Sequence, residues 1–478
     1  MTNEDVQKDS LVTFQTSQGL ELRGSLVRLT RLCAVFEIYS PNSALRVSEA
    51  LNDFRIFSND RLAYCGRAVV TNLINATTVL VVESSLEDPW ADAGLNGASA
   101  EVNGLRVQCA GFVQESQRLF QVAPEYKVVI ADFHTFLGDL RLWLDKLELT
   151  VRSSPSGSRF DLERTIIDEI SEPIIRSIDV FIDRFELIAG KLEPAQHPGH
   201  RAYLRRQLHP FLLSSPFAYR TFSKPLGYAG DYEVVNMMLR APHEGSTLFA
   251  KTVNVWLLGQ APVQGHRNRI NVLTRTLQEI TARARSAGRT ARILSLGCGP
   301  AAEVQRFIRE NPLAEHADFT LLDFNEETLQ FLRGSLDEVK RSSSRGTPIQ
   351  LIKKSVHQLL KEAARASARP AESQYDFIYC AGLFDYLSDQ VCKRLMNLSY
   401  DMLAPGGRLV ATNVSAALNP TRPFRHSMEY ILDWHLVYRD GARVAALAPD
   451  GAVADNVSVT MEETGCNLFM SVHKPNHA

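Results

Sequence analysis

The chain has 478 residues, of which 45% are apolar and 22% charged, and its formal net charge at pH 7 is -2. This length exceeds one ordinary core, so we expect two or three domains. The near-neutral charge would not attract nucleic acid, and the absence of a long apolar run predicts no transmembrane segment. The polar N-terminus MTNEDVQKDS does not resemble a signal peptide, and the seven scattered cysteines include no CxxC pair. We therefore expect a cytoplasmic protein with no metal site and no disulfide framework.

Six short β-rich runs, separated by turn residues, occupy residues 1–116 and predict a small β-barrel domain. They are LVTFQT, LRGSLVRL, CAVFEIY, FRIF, GRAVVTNLI and TTVLVVES. The region resembles the PilZ-type barrel, a bacterial module known for binding cyclic di-GMP through an RxxxR pair and a D/N-x-S-x-x-G turn. Arg28 and Arg31 have only RxxR spacing, and Leu-Cys-Ala follows them with no glycine. We therefore expect an adaptor role or homodimer formation through the barrel, and no dinucleotide binding.

Residues 117–250 change to helical periodicity and predict a helical segment. FHTFLGDLRLWLDKLEL predicts one helix, and a second run has Asp161 as its cap and Pro173 as a residue that kinks or divides it. EPAQHPGH, residues 193–200, predicts a turn. In KPLGYAGDYEVVNMML two interpretations remain open. Gly230 or Asp231 caps a helix, or Tyr228 and Asp231 belong to a lid that faces a bound cofactor.

Residues 251–478 alternate strands with helices, which predicts a doubly wound, Rossmann-like α/β domain. The five expected parallel strands are ARILSLG, DFTLLDF, PIQLIKK, YDFIYCAG and RLVATNV. A final pair, NVSVTMEET and CNLFMSVHKP, predicts a hairpin that adds antiparallel character at one edge of the sheet.

The stretch ILSLGCGPAAEVQRFI, residues 293–308, predicts a strand, a glycine turn and a helix, which together can hold a nucleotide. Gly297 and Gly299 fit both the dinucleotide fingerprint G-x-G-x-x-A and the looser G-x-G-x-A loop of methyltransferases. Asp323 ends the next strand, where a carboxylate binds ribose hydroxyls. These residues do not distinguish NAD from S-adenosylmethionine.

YDFIYCAGLFDYL, LAPGGRLVATNV and the closing hairpin together resemble the class I S-adenosylmethionine-dependent methyltransferases, over about residues 290 to 475. The resemblance implies S-adenosylmethionine as the cofactor, with Gly297 and Gly299 beneath its methionine part. It implies that the ribose and adenine lie near Asp323, Phe324, Ser355 and Val356, and that the binding edge of the sheet includes Ala381 and Gly382. Strand one departs from the family, because Ser295 stands where an acidic residue usually binds the cofactor's amino group. Asp231 is our candidate replacement.

The combination of GYAGDY, HRNRI, YCAGLFDYLSD, LDWHLVYR and TGCNLF resembles a bacterial methyltransferase group. That group includes enzymes that make 3-hydroxy fatty acid methyl esters as quorum signals, so the resemblance implies a small-molecule or acyl acceptor that is methylated on a carboxyl oxygen. The candidate residues for holding the acceptor are Arg267, Arg269, Arg422, Arg425, Trp434 and Tyr438. For an acceptor that must lose a proton, the candidate bases are His266, Tyr386, His426 and His435. A nicotinamide-dependent oxidoreductase and a non-catalytic cofactor-binding sensor remain as alternatives.

Overall fold

In the computed structural model, the residues described are 10–39, 45–58, 61–76, 79–87, 109–110, 113, 121–155, 158–365, 374–418 and 423–476. The expected boundary between residues 116 and 117 lies outside these ranges. None of the helices in these ranges is long and apolar enough to cross a membrane.

The N-terminal residues form a closed barrel, as the alternating runs predict. Its antiparallel strands are β1 Ser10–Gln15, β2 Glu21–Thr30, β3 Cys33–Ile38, β4 Ala50–Ser58, β5 Arg61–Ala76 and β6 Val79–Leu86. The strand order is β1-β2-β3-β6-β5-β4, and β4 pairs back to β1. The side chains of Phe14, Phe36, Phe54 and Tyr64 point inward and contact one another, with ring centroids 5.5 to 6.1 Å apart. Closure leaves neither edge of the sheet unpaired.

A helical segment follows the barrel and packs around one apolar core. Its helices are α1 Pro124–Arg152, α2 Arg159–Ala189, α3 His197–Leu212, α4 Pro216–Ser223, α5 Tyr232–Leu239 and α6 Leu248–Leu258. Four details bear on the expectation. The first helix begins earlier, at Pro124, and α3 begins at His197 inside the expected turn. Helix α2 begins after Ser158, so Asp161 lies in its first turn and is not its cap. Pro173 does not divide this helix. Because Pro173 is exposed, the carbonyl it leaves unpaired can bind water.

The C-terminal domain is a seven-stranded mixed sheet in the order β12-β13-β11-β10-β7-β8-β9. The strands are β7 Ala291–Leu296, β8 Ala317–Asp323, β9 Ile349–Lys353, β10 Tyr375–Cys380, β11 Leu403–Val414, β12 Val457–Met461 and β13 Asn467–His473. The five strands from β7 to β11 are parallel, and β13 pairs antiparallel with both β11 and β12. This confirms the α/β fold with one antiparallel edge.

Helices cover both faces of this sheet. They are α7 Ala261–Ser286, α8 Ala302–Glu310, α9 Glu326–Ser343, α10 Val356–Arg365, α11 Asp389–Met402, α12 Arg425–Ile431 and α13 Gly441–Ala445. The chain leaves β7 toward β8 on one side, whereas β10 lies on the other side of β7. Ligands of doubly wound folds bind beyond the carboxyl ends of the strands at such a reversal. The topology therefore places the candidate site above β7 and β10.

A buried charge cluster joins the barrel, the helical segment and the segment after β11. Asp433 is fully buried and pairs with Lys224 at 3.1 Å and Arg205 at 2.8 Å, and Arg67 of the barrel lies 3.7 Å away. Burial alone would raise the pKa of Asp433, but Lys224 and Arg205 outweigh it and hold the pKa well below its usual range. Since removing one partner of a buried pair is costly, this cluster fixes the relative position of the three parts.

Candidate functional site

A cavity opens at the expected position above β7 and β10. Its floor is the glycine loop after β7 and the ends of β8 and β10, and its walls come from α4 to α7, from residues 414–418 and 424–436, and from the barrel. Twelve of the residues singled out from the sequence line it. They are Tyr228, His266, Arg269, Gly297, Gly299, Asp323, Phe324, Val356, Ala381, Gly382, Tyr386 and Trp434.

The glycine loop is shaped by its own backbone and fixed by Asp323. Gly297 and Gly299 have φ values of 65° and 52°, and a Cβ added to Gly299 would meet nothing within 4 Å. This left-handed backbone favours glycine, and the open space above it can admit a ligand. The Asp323 carboxylate accepts hydrogen bonds from the amides of Gly299, at 3.1 Å, and Asn325, at 2.9 Å. The end of β8 therefore positions the loop.

Aromatic side chains lie beside Asp323, where the resemblance puts the ribose and adenine. The rings of Tyr228 and Phe324 are 5.4 Å apart between centroids, and the guanidinium carbon of Arg46 lies 4.2 Å from the Phe324 centroid. Burial raises the pKa of Asp323, and three backbone hydrogen bonds and the charge of Arg46 oppose that shift. The arrangement suits a flat, polar ring bound beside a carboxylate.

A second buried carboxylate, on Glu303, lies at the opposite end of the glycine loop. The Tyr379 hydroxyl donates a hydrogen bond to Glu303 Oε1 at 2.6 Å, and the side chain of Ser295 also hydrogen-bonds Tyr379. Ser295, Glu303 and Tyr379 all line the cavity. Burial raises the pKa of Glu303, while the hydrogen bond from Tyr379 opposes the rise.

Arg269 is a buried cation at the end of β10. Its Nη2 lies 2.7 Å from His266 Nδ1, and a Cβ added to Gly382 would lie 3.0 Å from both terminal nitrogens. Among the described residues, no carboxylate pairs with Arg269 within 4.0 Å, but the charges of the buried Asp385 and of Glu303 act on it. Burial, with the neighbouring charges of Arg269 and Arg267, lowers the pKa of His266 well below its usual value, so His266 is a neutral acceptor. Because these carboxylates do not bond the guanidinium directly, its N–H donors are suited to an anionic ligand.

The rest of the cavity is largely apolar. The contributing side chains come from the helical segment and from the chain after β11, and they include Phe217, Val235, Met238, Leu257, Val263, Leu418, Phe424, Met428, Leu432 and Leu436. Trp434 Nε1 donates to Tyr386 Oη at 2.9 Å, and a Cβ on Gly230 would lie 2.6 Å from that oxygen. Burial raises the pKa of Tyr386, so its hydroxyl stays protonated at neutral pH.

Asp231 does not line the cavity. Its side chain caps α5 by accepting from the amides of Glu233 and Val234, each at 3.0 Å, and it pairs with Arg220 at 2.9 Å. This is the capping interpretation, and the carboxylate has no capacity left for the cofactor's amino group. The Asp231 oxygens are thus engaged by the helix cap and by Arg220 rather than directed into the cavity.

The other residues proposed from the sequence lie outside the cavity or outside the described ranges. Ser355 caps α10, where its hydroxyl accepts from the amide of Gln358 at 3.2 Å, and Arg267 donates to Met238 O at 2.8 Å. Arg425 pairs with Glu429 at 2.8 Å.

The aromatic candidates are also engaged elsewhere. The Arg425 guanidinium lies over the ring of Tyr438, 4.6 Å from the centroid, and His435 Nε2 lies 3.2 Å from Asp433. The backbone amide of His426 donates to Glu186 at 3.1 Å. Arg422 lies outside the described residues.

Sequence reasoning missed four charged residues of the cavity, which are Arg46, Glu303, Lys354 and Asp385. Glu303 directly follows the glycine loop and could have been noticed as an acidic residue in the first turn of α8. Arg46 lies in the barrel, far from the motifs in sequence, and no local pattern indicates it.

Comparison with known proteins supports this picture. Residues 266–453, less than half of the chain, match the family described as "Methyltransferase domain". No curated protein matches the chain. The sheet order, with the antiparallel pair at one edge, is that of the class I, S-adenosylmethionine-dependent methyltransferase fold.

Solved structures are similar at low identity. A possible exported protein from Bordetella parapertussis is 17% identical with a TM-score of 0.43, over 68% of this chain and 99% of its own. The N-methyltransferase NodS from Bradyrhizobium japonicum WM9 is 16% identical with a TM-score of 0.27, over 44% of this chain and 97% of its own. Magnesium protoporphyrin IX methyltransferase from Synechocystis PCC 6803, solved with bound SAH, is 12% identical with a TM-score of 0.29, over 45% and 85%. Matches at this level do not identify a substrate.

Proposed function

We propose that the chain is an S-adenosylmethionine-dependent O-methyltransferase that esterifies a carboxylic acid with an apolar body, such as a hydroxy fatty acid. The observation that carries this proposal is Arg269, a buried cation with no directly bonded carboxylate among the described residues, which lines a largely apolar cavity beside the glycine loop. A carboxylate matches the guanidinium in charge and in hydrogen-bonding geometry.

The cofactor half of the site is built from Gly297, Gly299, Asp323 and Phe324, with Tyr228 against the Phe324 ring. The open space above Gly299 fits a ligand that lies across the loop, and the Asp323 carboxylate suits ribose hydroxyls. When bound, S-adenosylmethionine supplies an electrophilic methyl group on a positively charged sulfur. Val356, Ala381 and Gly382 complete the proposed contacts at the sheet edge.

The acceptor needs no base in this proposal, because a carboxylate is already ionised at neutral pH. One carboxylate oxygen forms a bond to the methyl carbon as the carbon–sulfur bond breaks, giving a methyl ester and S-adenosylhomocysteine. Arg269 holds the other oxygen and aligns the attack. The protonated Tyr386 and the neutral, buried His266 fit a site that positions groups without accepting a proton.

The apolar walls support an acceptor with a hydrocarbon body. Side chains of leucine, methionine and phenylalanine extend from Arg269 toward the helical segment, and they can cover a hydrocarbon body that water would otherwise solvate. Each buried methylene contributes about 0.8 kcal/mol, so acceptor affinity should rise with chain length until the cavity is filled.

The experiment measures S-adenosylhomocysteine release with a series of straight-chain and 3-hydroxy acids, using Arg269→Met and the control Arg267→Met. Arg267 lies two residues away on α7 and does not line the cavity. Since a hydrogen bond to a charged group contributes about 1.5–3 kcal/mol, Arg269→Met should raise the acceptor KM ~10-fold or more and leave the S-adenosylmethionine Kd within about threefold. Equal losses in KM and Kd would contradict the role of Arg269. Failure of every acid would contradict the acceptor class.

A further inference from the structure

We propose that the N-terminal barrel completes the cofactor site by supplying Arg46, which contacts the adenosine half of the bound cofactor. This inference rests on the proposed function and deepens it. The sequence suggested an adaptor or dimerisation role for the barrel, whereas the cavity includes Arg46, which precedes strand β4 of the barrel.

The turn that carries Arg46 is fixed to the barrel by a buried carboxylate. Glu49 accepts hydrogen bonds from the amide of Arg46, at 3.0 Å, and from the amide and hydroxyl of Ser17, at 2.7 and 2.6 Å. The amide of Ser48 donates to Val70 O at 2.7 Å. The turn therefore has a defined conformation before any ligand binds.

The same turn is also fixed to the parts that surround the cavity. The amide of Val47 donates to Tyr386 O at 3.2 Å, and the amide of Ala50 donates to Gly227 O at 2.8 Å. The Ser48 hydroxyl donates to Asp433 O and accepts from the amide of His435, both at 3.1 Å. The barrel is thus docked where Arg46 enters the cavity.

The guanidinium of Arg46 is oriented but unsatisfied. Its side chain stacks on Phe324, and the residue is only 6% exposed. Among the described residues no hydrogen-bond acceptor meets the guanidinium, and its Nε is buried without a partner. A guanidinium carries five donors, so a bound group with several acceptor atoms fits this position. The ring nitrogens and ribose oxygens of adenosine are such acceptors.

Arg46 lies apart from the residues that are placed near the methionine part of the cofactor. Arg46 lies over Phe324, at the end of β8, and its charge acts on Asp323. Arg269 lies beside Gly382 at the end of β10, and Glu303 lies in the first turn of α8, where its charge acts on Arg269. Arg46 therefore belongs with the residues expected to hold adenosine.

The test compares the affinities of S-adenosylhomocysteine and methylthioadenosine for the full-length protein. Methylthioadenosine keeps the adenosine and the thioether but lacks the amino acid. Arg46→Ala should raise the Kd of both ligands at least tenfold, Arg46→Lys should restore part of the loss, and the exposed barrel variant Arg23→Ala should change neither.

Each result decides the matter. If the unaltered protein binds neither ligand, the proposed function fails before the barrel is tested. If the unaltered protein binds both and Arg46→Ala changes neither Kd, the inference about the barrel is wrong. If Arg46→Ala lowers the thermal midpoint of unfolding, the Kd values of Arg46→Met and Arg46→Lys are compared with each other instead. Equal Kd values for these two variants would also overturn the inference about the barrel.

A second inference follows independently from the buried pair of Glu303 and Tyr379. We infer that Glu303 binds the ammonium group of the cofactor's methionine, in place of the acidic residue that strand one lacks. Ser295 occupies the usual position of that residue, and Tyr379 links Ser295 to the Glu303 carboxylate. Asp231 is excluded from this task by its bonds to Arg220 and to the N-terminus of α5.

The same two ligands test Glu303, with the opposite pattern. Glu303→Gln should raise the S-adenosylhomocysteine Kd at least tenfold and leave the methylthioadenosine Kd unchanged, because only the first ligand carries an ammonium. The control is Glu310→Gln on the same helix, where the carboxylate is exposed and pairs with Arg306 at the surface. Equal losses for both ligands would mean a structural effect and would overturn the assignment, as would no loss for either. Glu303→Asp should retain part of the selectivity.

Discussion

Gly382 tests whether the position of Arg269 controls acceptor binding. Its φ is +83°, and a Cβ there would lie 3.0 Å from Nη1 and Nη2 of Arg269. Alanine in this conformation costs ~1–2 kcal/mol, and the guanidinium must move by about half an ångström to reach an ordinary contact distance. Gly288 is the matched control, since its φ is +69° and an added Cβ would meet nothing within 4 Å.

Both substitutions should lower the free energy of unfolding by ~1–2 kcal/mol in denaturant titrations, because both place alanine in the left-handed region. Only Gly382→Ala should raise the acceptor KM, by about tenfold, which corresponds to ~1.4 kcal/mol, because it displaces the group that holds the carboxylate. Steady-state kinetics at saturating S-adenosylmethionine measures this. An unchanged KM in Gly382→Ala, or a loss confined to cofactor binding, would refute the role of Arg269.

Three further outcomes are expected. Tyr386→Phe removes the acceptor of the Trp434 indole but no base, so kcat should stay within about tenfold, and a thousandfold loss would indicate general-base catalysis. Burial raises the pKa of Glu186 from its ordinary value of 4.5 to about 7. Between these two pH values the folded chain keeps a proton on Glu186 that the unfolded chain releases. Stability from this group should therefore be complete below pH 4.5 and fall by ~3 kcal/mol as the pH rises through 7. Glu186→Gln should remove this slope in denaturant titrations across that pH range, and an unchanged slope would contradict the assignment. Arg439→Met should lower the free energy of unfolding by ~2–4 kcal/mol, because the fully buried guanidinium donates to Phe384 O at 2.8 Å and to Leu387 O at 2.6 Å, and both carbonyls would lose this donor; a loss below 1 kcal/mol would contradict this.

The parts of the fold that depend on local pattern could be predicted from the sequence. Alternation in the barrel strands and the strand–helix alternation after residue 290 each reflect burial of one face, and both predicted the observed architecture. The glycine loop and Asp323 were predictable together, because the carboxyl ends of neighbouring parallel strands meet at one edge. Their hydrogen bond at 3.1 Å is a consequence of that topology.

The parts that depend on distant partners could not be predicted. Asp231 has the sequence context of both a cap and a ligand, and only its contact with Arg220 decides between them. Arg267 and Arg269 are equivalent in sequence, but the turn of α7 directs only Arg269 into the cavity. Arg46 reaches the site because the barrel docks against it, which no periodicity encodes.

The central claim is that the glycine loop holds a methyl donor, and calorimetric titration tests it most directly. The protein is titrated with S-adenosylmethionine, S-adenosylhomocysteine and NADH, and the series is repeated with Asp323→Ala. We expect both sulfur compounds to bind the unaltered protein, NADH not to bind, and the variant to lose at least tenfold in affinity for both, because Asp323 fixes Gly299 and is placed to bind ribose. Binding of NADH alone, or equal binding of S-adenosylhomocysteine by Asp323→Ala and the unaltered protein, would contradict the account.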